Sequence, residues 1–319
     1  MISISKDINI AIKILNNDGV IGLPTETVYG LAGNIYNKKA INKIFEIKKR
    51  PKFNPLIVHI ANIDSLNKIA VDITEKAILL AKNFWPGPLT LLLKKHPSIS
   101  DLITAGKPTV AVRIPNHKMA LELLNKLDFP LAAPSANPFG CISPTTANHV
   151  ANYFPLDLAL VLDGGNCENG IESTIVGFDD NDVIIYRLGA ISVEDIEAII
   201  GETRIFVSDN NAPIAPGMLK KHYSPKTNFI LTDNVENEIA KNSNLKIGIL
   251  TFFKNYNSKY IKSIKILSKN KNLKEASKNL YAVMHELDKE NLDLIIAEKF
   301  EDSNLGKSIN DRLSRAAEK

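Results

Sequence analysis

The sequence predicts an α/β protein with a larger sheet domain followed by a smaller one. Apolar runs and amphipathic segments alternate along most of the chain, and its 319 residues exceed the usual size of one domain. A proline-rich stretch without periodicity interrupts this alternation at 205–227. We therefore expect a first domain at 1–204, a linker at 205–227 and a C-terminal domain at 228–319.

Local signals place the elements of the first domain. Apolar residues at helical spacing predict helices near 5–17, 38–50, 74–85, 117–127, 145–154 and 192–200. Short apolar runs predict strands near 20–25, 56–60, 90–95, 109–115, 129–133, 158–165, 173–178 and 183–189. The segment TETVYG reads as a polar turn after the first of these strands. Ser143 with Pro144, and Ser192, are expected to cap the helices that follow them.

The segment 38–50, KKAINKIFEIKKR, precedes a proline, and the residue before proline is disfavoured in helical geometry. Pro51 should therefore end this helix. Lys48 is then expected on the last turn and Arg50 just beyond it, so that both cations approach one anion.

The C-terminal segment shows a second alternation. NFILT, LKIGILTF and LDLIIAE are strand-like, and helices are expected near 233–242, 271–290 and 305–318. This pattern predicts a small parallel α/β unit. The linker before it contains APGMLKKHYSP, whose Met218, His222 and Tyr223 exceed what a passive tether needs.

Composition indicates an ordinary water-soluble protein, with 45% hydrophobic and 23% charged residues. No run approaches 18 apolar residues and the first residues do not resemble a signal peptide, so we expect a cytoplasmic protein without a membrane segment. Two cysteines, Cys141 and Cys167, provide neither a disulfide framework nor a CxxC metal pair. Cys141 is expected to be a loop residue and not a nucleophile, because no local cue lowers its pKa.

The excess of basic residues lies in the C-terminal segment, where 226–319 holds 17 Lys and Arg against 13 Asp and Glu. Within it, 246–278 carries nine lysines, one acid and four aromatic residues. Two interpretations stay open: a surface for RNA or a solvated lysine-rich face. Arginine is rarer, six against 33 lysines, so Arg50, Arg113 and Arg187 in motif-like strings hint at the recognition of carboxylates or phosphates.

Familiar catalytic motifs are absent from the sequence. GxGxxG, HExxH and GxSxG do not occur, and GKS at 306–308 lacks the glycine that a phosphate-binding P-loop needs five residues earlier. The remaining candidates are hydroxyls, amides and arginines at strand ends, where ligands bind in open α/β sheets. They suit the binding of phosphates while a bound substrate supplies the nucleophile.

Seven strings carry a specific resemblance: PTETVYGLAG, KKRPKFNPLIVHI, FWPGPLTLLL, VAVRIP, LAAPSANPFGCISPT, DGG followed by GIESTIV, and YRLGAI. In order and spacing they resemble the YrdC-like threonylcarbamoyl-AMP synthases. The linker string and the ending SINDRLSRAAEK resemble the long, two-domain form of that family. The resemblance implies a YrdC-like twisted open α/β sheet domain followed by a smaller Rossmann-like parallel α/β domain.

The resemblance also implies an activity. L-threonine and bicarbonate or CO2 would form a carbamate that attacks the α-phosphorus of ATP, giving threonylcarbamoyl-AMP and pyrophosphate. Mg²⁺ is expected with ATP, and no protein metal site is expected. The product would pass to tRNA threonylcarbamoyl-transfer proteins, for modification of the adenosine beside the anticodon. A weak contact with tRNA is a further expected partner interaction.

The family's motifs map onto numbered positions of this chain. Catalytic roles fall on Lys48, Arg50, Ser135 and Asn137. ATP contacts fall on Arg50, Asn54, Thr109, Ser135, Ser143, Arg187 and Tyr223. Threonine contacts fall on Thr27, His59, Arg113, Ala133 and Ser173, with Arg113 suited to fork onto the amino-acid carboxylate and position 133 offering backbone only. Tyr223 would make the linker a lid over the nucleotide.

Two alternatives accompany this hypothesis. A non-catalytic RNA-binding module of the same fold would use the lysine-rich tail, but it needs neither the KxR and SxN pairs nor the lid string. A carbamoyl-adenylate-forming enzyme of the hydrogenase-maturation type contains a similar domain, but it carries zinc-finger cysteines that two cysteines cannot supply.

Overall fold

The computed structural model describes residues 2–179, 182–206, 213–219 and 222–318. The predicted linker at 205–227 lies partly outside the described residues, at 207–212 and 220–221. Two sheets form, one on each side of this stretch, while the boundaries at 204 and 228 stay predictions. Among the helices of the described ranges, none is long and apolar enough to span a membrane.

The first sheet is mixed and open. Its elements, in chain order, are β1 (Ser3–Ser5), α1 (Ile8–Asn16), β2 (Ile21–Leu23), β3 (Gly30–Asn34), α2 (Lys38–Lys48), β4 (Ile57–His59), a 3-10 helix (Ile63–Lys68), α3 (Glu75–Phe84), β5 (Leu89–Lys94), α4 (Asp101–Thr104), β6 (Thr109–Arg113), α5 (Lys118–Asn125), β7 (Leu131–Ala132), α6 (Ala147–Tyr153), β8 (Leu160–Leu162), β9 (Thr174–Asp179), β10 (Asp182–Arg187), α7 (Val193–Ile200) and β11 (Arg204–Ile205). The strand order is β1-β8-β2-β3-β7-β4-β6-β5-β9-β10-β11. Because β4 and β6 are parallel while β5 and β6 are antiparallel, strand ends from different parts of the chain meet at one edge.

The second sheet is wholly parallel, as predicted. Its elements are β12 (Asn228–Thr232), α8 (Val235–Lys241), β13 (Ile247–Thr251), β14 (Ile261–Ile266), α9 (Leu273–Leu287), β15 (Leu294–Glu298) and α10 (Leu305–Ala317). The strand order is β12-β15-β13-β14. The GKS string at the start of α10 contacts the first domain, since Lys307 pairs with Glu194 at 2.8 Å and Ser308 donates to the Gly189 carbonyl.

Helix α2 ends as its sequence predicts. Asn37 caps its first turn, and Lys49 adopts the left-handed conformation at φ 51°. The Arg50 amide donates back to the Phe45 carbonyl at 2.9 Å, so the chain turns sharply out of the helix. This geometry puts Lys48 on the last turn of α2 and Arg50 beyond the end of the helix.

The structure contains elements that the sequence did not predict: β1, β3, β11, β14, α4 and the 3-10 helix. The first residue of β3, Gly30, belongs to the predicted turn, and β14 lies in the lysine-rich stretch. One predicted cap also differs. The strand β3 is glycine-rich because α2 packs closely on it: a Cβ at Gly33 would lie 3.2 Å from Ile44 Cδ1. The prediction that Ser143 caps α6 is wrong, since Thr146 accepts from the His149 amide there. The Ser143 hydroxyl donates to the buried Glu172 carboxylate at 2.6 Å instead.

A buried ion pair joins the two domains. Glu172, just before β9, accepts from Arg312 Nε of α10 at 2.8 Å and from the Tyr281 hydroxyl of α9 at 2.9 Å. The Arg312 side chain is fully buried and also donates to the Leu188 carbonyl at 2.6 Å. Burial alone would raise the pKa of Glu172, but Arg312 and then Arg187 outweigh it and lower this pKa to about 2.

A stacked histidine pair lies at the same junction. The rings of His149 on α6 and His285 on α9 are 4.0 Å apart between centroids. His285 Nε2 donates to the Ser143 carbonyl at 3.1 Å. Burial and then its neighbour lower the pKa of His149 to about 3, and burial lowers that of His285 to about 4. Both rings are therefore neutral in the folded protein near neutral pH.

We predict that acidification loosens this junction. The unfolded chain binds protons on these histidines near their ordinary pKa of about 6.5, whereas the folded chain does not until about 4 or below. The contribution of the two neutral histidines to the free energy of unfolding is complete above pH ~6.5 and falls as the pH drops towards 4. Denaturant midpoints measured between these limits should decrease, and His285→Gln should shrink the decrease. His96→Gln, outside the junction, is the control; an undiminished decrease in His285→Gln would contradict the assignment.

We also predict that Arg312→Met destabilises the protein strongly. The substitution leaves Glu172 as a buried carboxylate without its main cation, which typically costs about 3–5 kcal/mol. The free energy of unfolding from denaturant titration measures this loss. Lys241→Met, which removes an exposed pair with Glu238, should cost less than about 1 kcal/mol. Similar losses in the two variants would show that the buried pair stabilises the protein no more than an exposed pair does.

Candidate active site

A cavity opens where strand ends of the first sheet meet the linker. His59 and Arg113 are paired at the last positions of β4 and β6, Ala133 follows β7, and Arg187 ends β10. Residues of the first sheet and residues of the linker line this cavity together. Its wall contains nine of the residues named from the sequence: Thr27, Arg50, His59, Arg113, Ala133, Ser135, Ser173, Arg187 and Tyr223.

One side of the cavity is built around Arg113. Its Nε donates to the Gly87 carbonyl at 3.1 Å and its Nη1 donates to Thr27 Oγ1 at 2.8 Å. Its Nη2 lies 2.6 Å from Glu26 Oε1. The guanidinium is thus held in one plane at a buried position, which suits bidentate recognition of a carboxylate.

Two neighbouring groups complete this side. Thr25 Oγ1 donates to the Val28 carbonyl at 2.6 Å, so the Thr27 hydroxyl donates to Thr25 at 2.9 Å. Thr27 therefore presents an acceptor to a ligand. Burial and then Arg113 lower the pKa of His59 to about 3, which keeps its ring neutral. Its Nδ1 is buried and has no hydrogen-bond partner within the described ranges. This side can take a small polar molecule with a carboxylate and a hydroxyl or amine.

The other side carries two buried guanidinium groups. Arg50 donates through Nε to the Asn54 carbonyl and through Nη2 to Asn54 Oδ1 at 2.6 Å. Arg187 donates through Nη2 to the Ser173 carbonyl at 2.8 Å and through Nη1 to the Pro216 carbonyl at 3.1 Å. Burial and then Arg187 lower the pKa of Arg50 to about 9. Two like charges at one cavity favour a polyanion such as a triphosphate.

Lys48 holds the loop PSANP (134–138) in place through hydrogen bonds to its backbone. Lys48 Nζ donates to the carbonyl oxygens of Ser135 and Asn137, at 2.5 and 2.6 Å. Both N–H groups of the Asn137 amide donate within the loop, to Pro138 and Cys141. The side chain of Ser135 is left at the cavity wall. Burial raises the pKa of the Cys141 thiol, in agreement with the prediction that it is not a nucleophile.

Part of the linker, including Gly217 and Tyr223, lines the cavity. Tyr223 is 1% exposed and adopts φ 63°. Its buried hydroxyl has no hydrogen-bond partner among the residues that the structure describes. Such a backbone conformation is costly for a bulky residue and is typical of functional sites. Gly217 at φ 82° passes so close that a Cβ there would lie 2.9 Å from Arg187 Nη1. The described part of the linker thus lies against the cavity, and its role as a lid over a nucleotide stays a prediction.

Five predicted site residues lie outside the cavity wall. Lys48 and Asn137 brace the loop, Asn54 orients Arg50, and Ser143 binds Glu172. Thr109 begins β6, four residues before Arg113, which is roughly 13 Å along a strand. The face between them is covered by Ala215 and Met218 of the linker. Their roles towards substrates stay predictions.

Sequence reasoning missed several groups at the site. Glu172 lines the cavity, and Arg312 approaches the Tyr223 ring with its guanidinium carbon 5.0 Å from the centroid. His222, which the sequence singled out without assigning it a role, also lines the cavity. Arg312 was detectable in principle, because it is one of six arginines in a lysine-rich chain. Glu172 precedes Ser173 inside the string GIESTIV, but nothing local shows that its partners come from the other domain.

Comparisons with known proteins agree over nearly the whole chain. A family profile described as "Telomere recombination", covering Sua5, YciO and YrdC, matches residues 13–189. A second, described as "Threonylcarbamoyl-AMP synthase, C-terminal domain", matches residues 191–318. The threonylcarbamoyl-AMP synthase of Pyrococcus abyssi is 37% identical, over 97% of this chain and 94% of its own length. That of Bacillus subtilis is 39% identical, over 96% and 92%.

A solved structure shows the same architecture. The crystal structure of P. abyssi Sua5 complexed with L-threonine superposes with a TM-score of 0.92 at 36% identity, over 99% of this chain and 97% of that one. The YrdC-like fold and the two-domain organisation implied by the sequence are thereby confirmed. The chain belongs to the threonylcarbamoyl-AMP synthase family, in its two-domain form.

Proposed function

We propose that the protein makes threonylcarbamoyl-AMP from L-threonine, bicarbonate or CO2, and ATP, releasing pyrophosphate. The observation that supports this best is the division of one cavity into two sides. Arg113, Thr27 and His59 suit an amino acid, whereas Arg50 and Arg187 suit the phosphates of ATP. The two relatives described above carry the name of this enzyme, and the superposed structure contains L-threonine.

The chemistry needs positioning more than a protein nucleophile. The amine of threonine captures CO2 as a carbamate, whose oxygen attacks the α-phosphorus while pyrophosphate leaves. Arg113 holds the amino-acid carboxylate, and Arg50 and Arg187 meet the charge that develops on the phosphoryl oxygens. Ser135 contacts the reacting groups from a loop that Lys48 holds in place. Tyr223 covers the nucleotide and excludes water from the labile adenylate.

Mg²⁺ is proposed to enter with ATP. Among the residues that the structure describes, no group of three or more His, Cys, Asp or Glu could hold a metal ion. Glu172, the carboxylate in the cavity wall, is committed to Arg312, Tyr281 and Ser143. Mg²⁺ commonly relies on phosphate oxygens and water, so this donor set fits an ion carried by the triphosphate. Bound there, it would neutralise phosphate charge.

The fate of the product belongs to the same proposal. We expect transfer proteins in the cytoplasm to receive threonylcarbamoyl-AMP and modify tRNA beside the anticodon. A weak direct tRNA contact is proposed for the lysine-rich segment 246–278. Two of its nine lysines, Lys254 and Lys265, are in ion pairs with Glu298 and with Glu286 and Glu290.

The central prediction concerns turnover. The purified protein, given ATP, Mg²⁺, bicarbonate and L-threonine, should release pyrophosphate and form a nucleotide heavier than AMP by the threonylcarbamoyl group. Pyrophosphate detection and mass spectrometry measure the two products. Omission of threonine is the control. Pyrophosphate release without threonine, or none with all substrates, would overturn the proposal.

A second prediction concerns Arg50. Arg50→Lys keeps a cation but removes the fork that Asn54 orients, so kcat/KM should fall ~10²- to 10³-fold, about 2.7–4 kcal/mol of transition-state stabilisation. Arg204→Lys, at an exposed arginine paired with Asp182, is the matched control and should retain parental turnover. Equal activity of Arg50→Lys and the parent would remove Arg50 from the mechanism.

A further inference from the structure

Glu26 is a buried carboxylate that no role described so far uses. Its side chain is 4% exposed, and Oε1 lies 2.6 Å from Arg113 Nη2. Neither carboxylate oxygen has a partner at hydrogen-bonding geometry in the described part of the chain. A buried carboxylate is costly unless its interaction with a cation compensates for lost hydration. The contact with Arg113 therefore needs an explanation.

The position of Glu26 differs from that of its neighbours. Thr25 and Thr27 line the cavity, whereas Glu26 lines a groove between the two domains, with Glu168 of the first domain and Ser277 of α9. Arg113 is thus held between the cavity and the groove. Its guanidinium is approached by Glu26 from the side away from the cavity.

The donors of Arg113 can be counted. A guanidinium carries five N–H groups. One N–H on Nε donates to Gly87 and one on Nη1 donates to Thr27, while Nη2 faces Glu26. Three N–H groups, one on Nη1 and two on Nη2, make no hydrogen bond to the described residues, and a bidentate carboxylate requires two. The rotation of the guanidinium plane decides whether two of them point together into the cavity.

Charge balance points to the same role. Three arginines, Arg50, Arg113 and Arg187, line the cavity. The nearby carboxylate of Glu172 is held by Arg312 at 2.8 Å. Glu26 is the carboxylate in contact with Arg113, so it compensates this guanidinium and restrains it from turning towards another anion.

We propose that Glu26 is the positioning residue of the amino-acid subsite. It fixes the plane of the Arg113 guanidinium from the groove side, so that two of the free N–H groups fork onto the carboxylate of the substrate. This inference deepens the proposed function and rests on it for the identity of the amino acid. Glu26 acts through Arg113 and does not itself touch the substrate.

The test uses the full-length protein with Glu26→Gln, which preserves shape and removes the charge. Loss of the ionic contact lets the Arg113 guanidinium rotate, so L-threonine should bind ~10- to 100-fold more weakly by calorimetry without ATP. In turnover, KM for threonine should rise while KM for ATP stays within about twofold. Glu26→Asp keeps the charge but withdraws it by one methylene, and its threonine affinity should lie between those of the parent and Glu26→Gln.

Glu168→Gln is the matched control, because it removes the same charge from an exposed residue of the same groove. It should bind threonine as the parent does. Parental threonine affinity in a folded Glu26→Gln or Glu26→Asp variant, or an equal rise of both KM values, would overturn the positioning role. If the parent binds threonine but releases no pyrophosphate, and Glu26→Gln weakens that binding, the proposed reaction fails while the role of Glu26 stands.

Discussion

The rest of the structure depends on the ion pair and hydrogen bonds that the buried Glu172 carboxylate makes. It sits between the first sheet and helices α9 and α10, where Arg312 and Tyr281 reach it from the second domain and Ser143 from the first. Arg312 in turn supports the ring of Tyr223, the residue that covers the cavity. One buried charge thus fixes the domain junction and the seat of the linker together, and it does so at the border of the cavity.

The cavity brings buried, positively charged arginine side chains close together. Arginines gathered around empty space repel one another, and burial lowers the pKa values of Arg50 and Arg187. The chain holds each guanidinium with carbonyl oxygens, as Asn54 does for Arg50 and Ser173 for Arg187. Neutral dipoles can orient a cation without cancelling it, so the positive charge remains available to a polyanion.

Prediction from sequence succeeded where the signal is local. The end of α2 depends on Pro51 and a helical pattern within one segment, so Arg50 was placed correctly. It failed where distant parts meet. Lys48 binds carbonyls 87 and 89 residues further along the chain. Ser143 was taken for a cap, but it serves a carboxylate 29 residues away. The strand β3 was not predicted beyond its first residue, which was assigned to a turn, because pairing with β2 and β7 overrides its glycines.

The strained backbone at Tyr223 has a consequence for how the enzyme exchanges its ligands. Tyr223 belongs at once to the cavity wall and to the apolar cluster around Tyr281. In the proposed role of the linker as a lid, passage of a nucleotide would require the Tyr223 ring to leave that cluster. Release of strain favours that departure, while lost packing with the second domain opposes it. In that proposed mechanism, the packing of the second domain against one aromatic ring would set how long the reactive product stays sheltered from water.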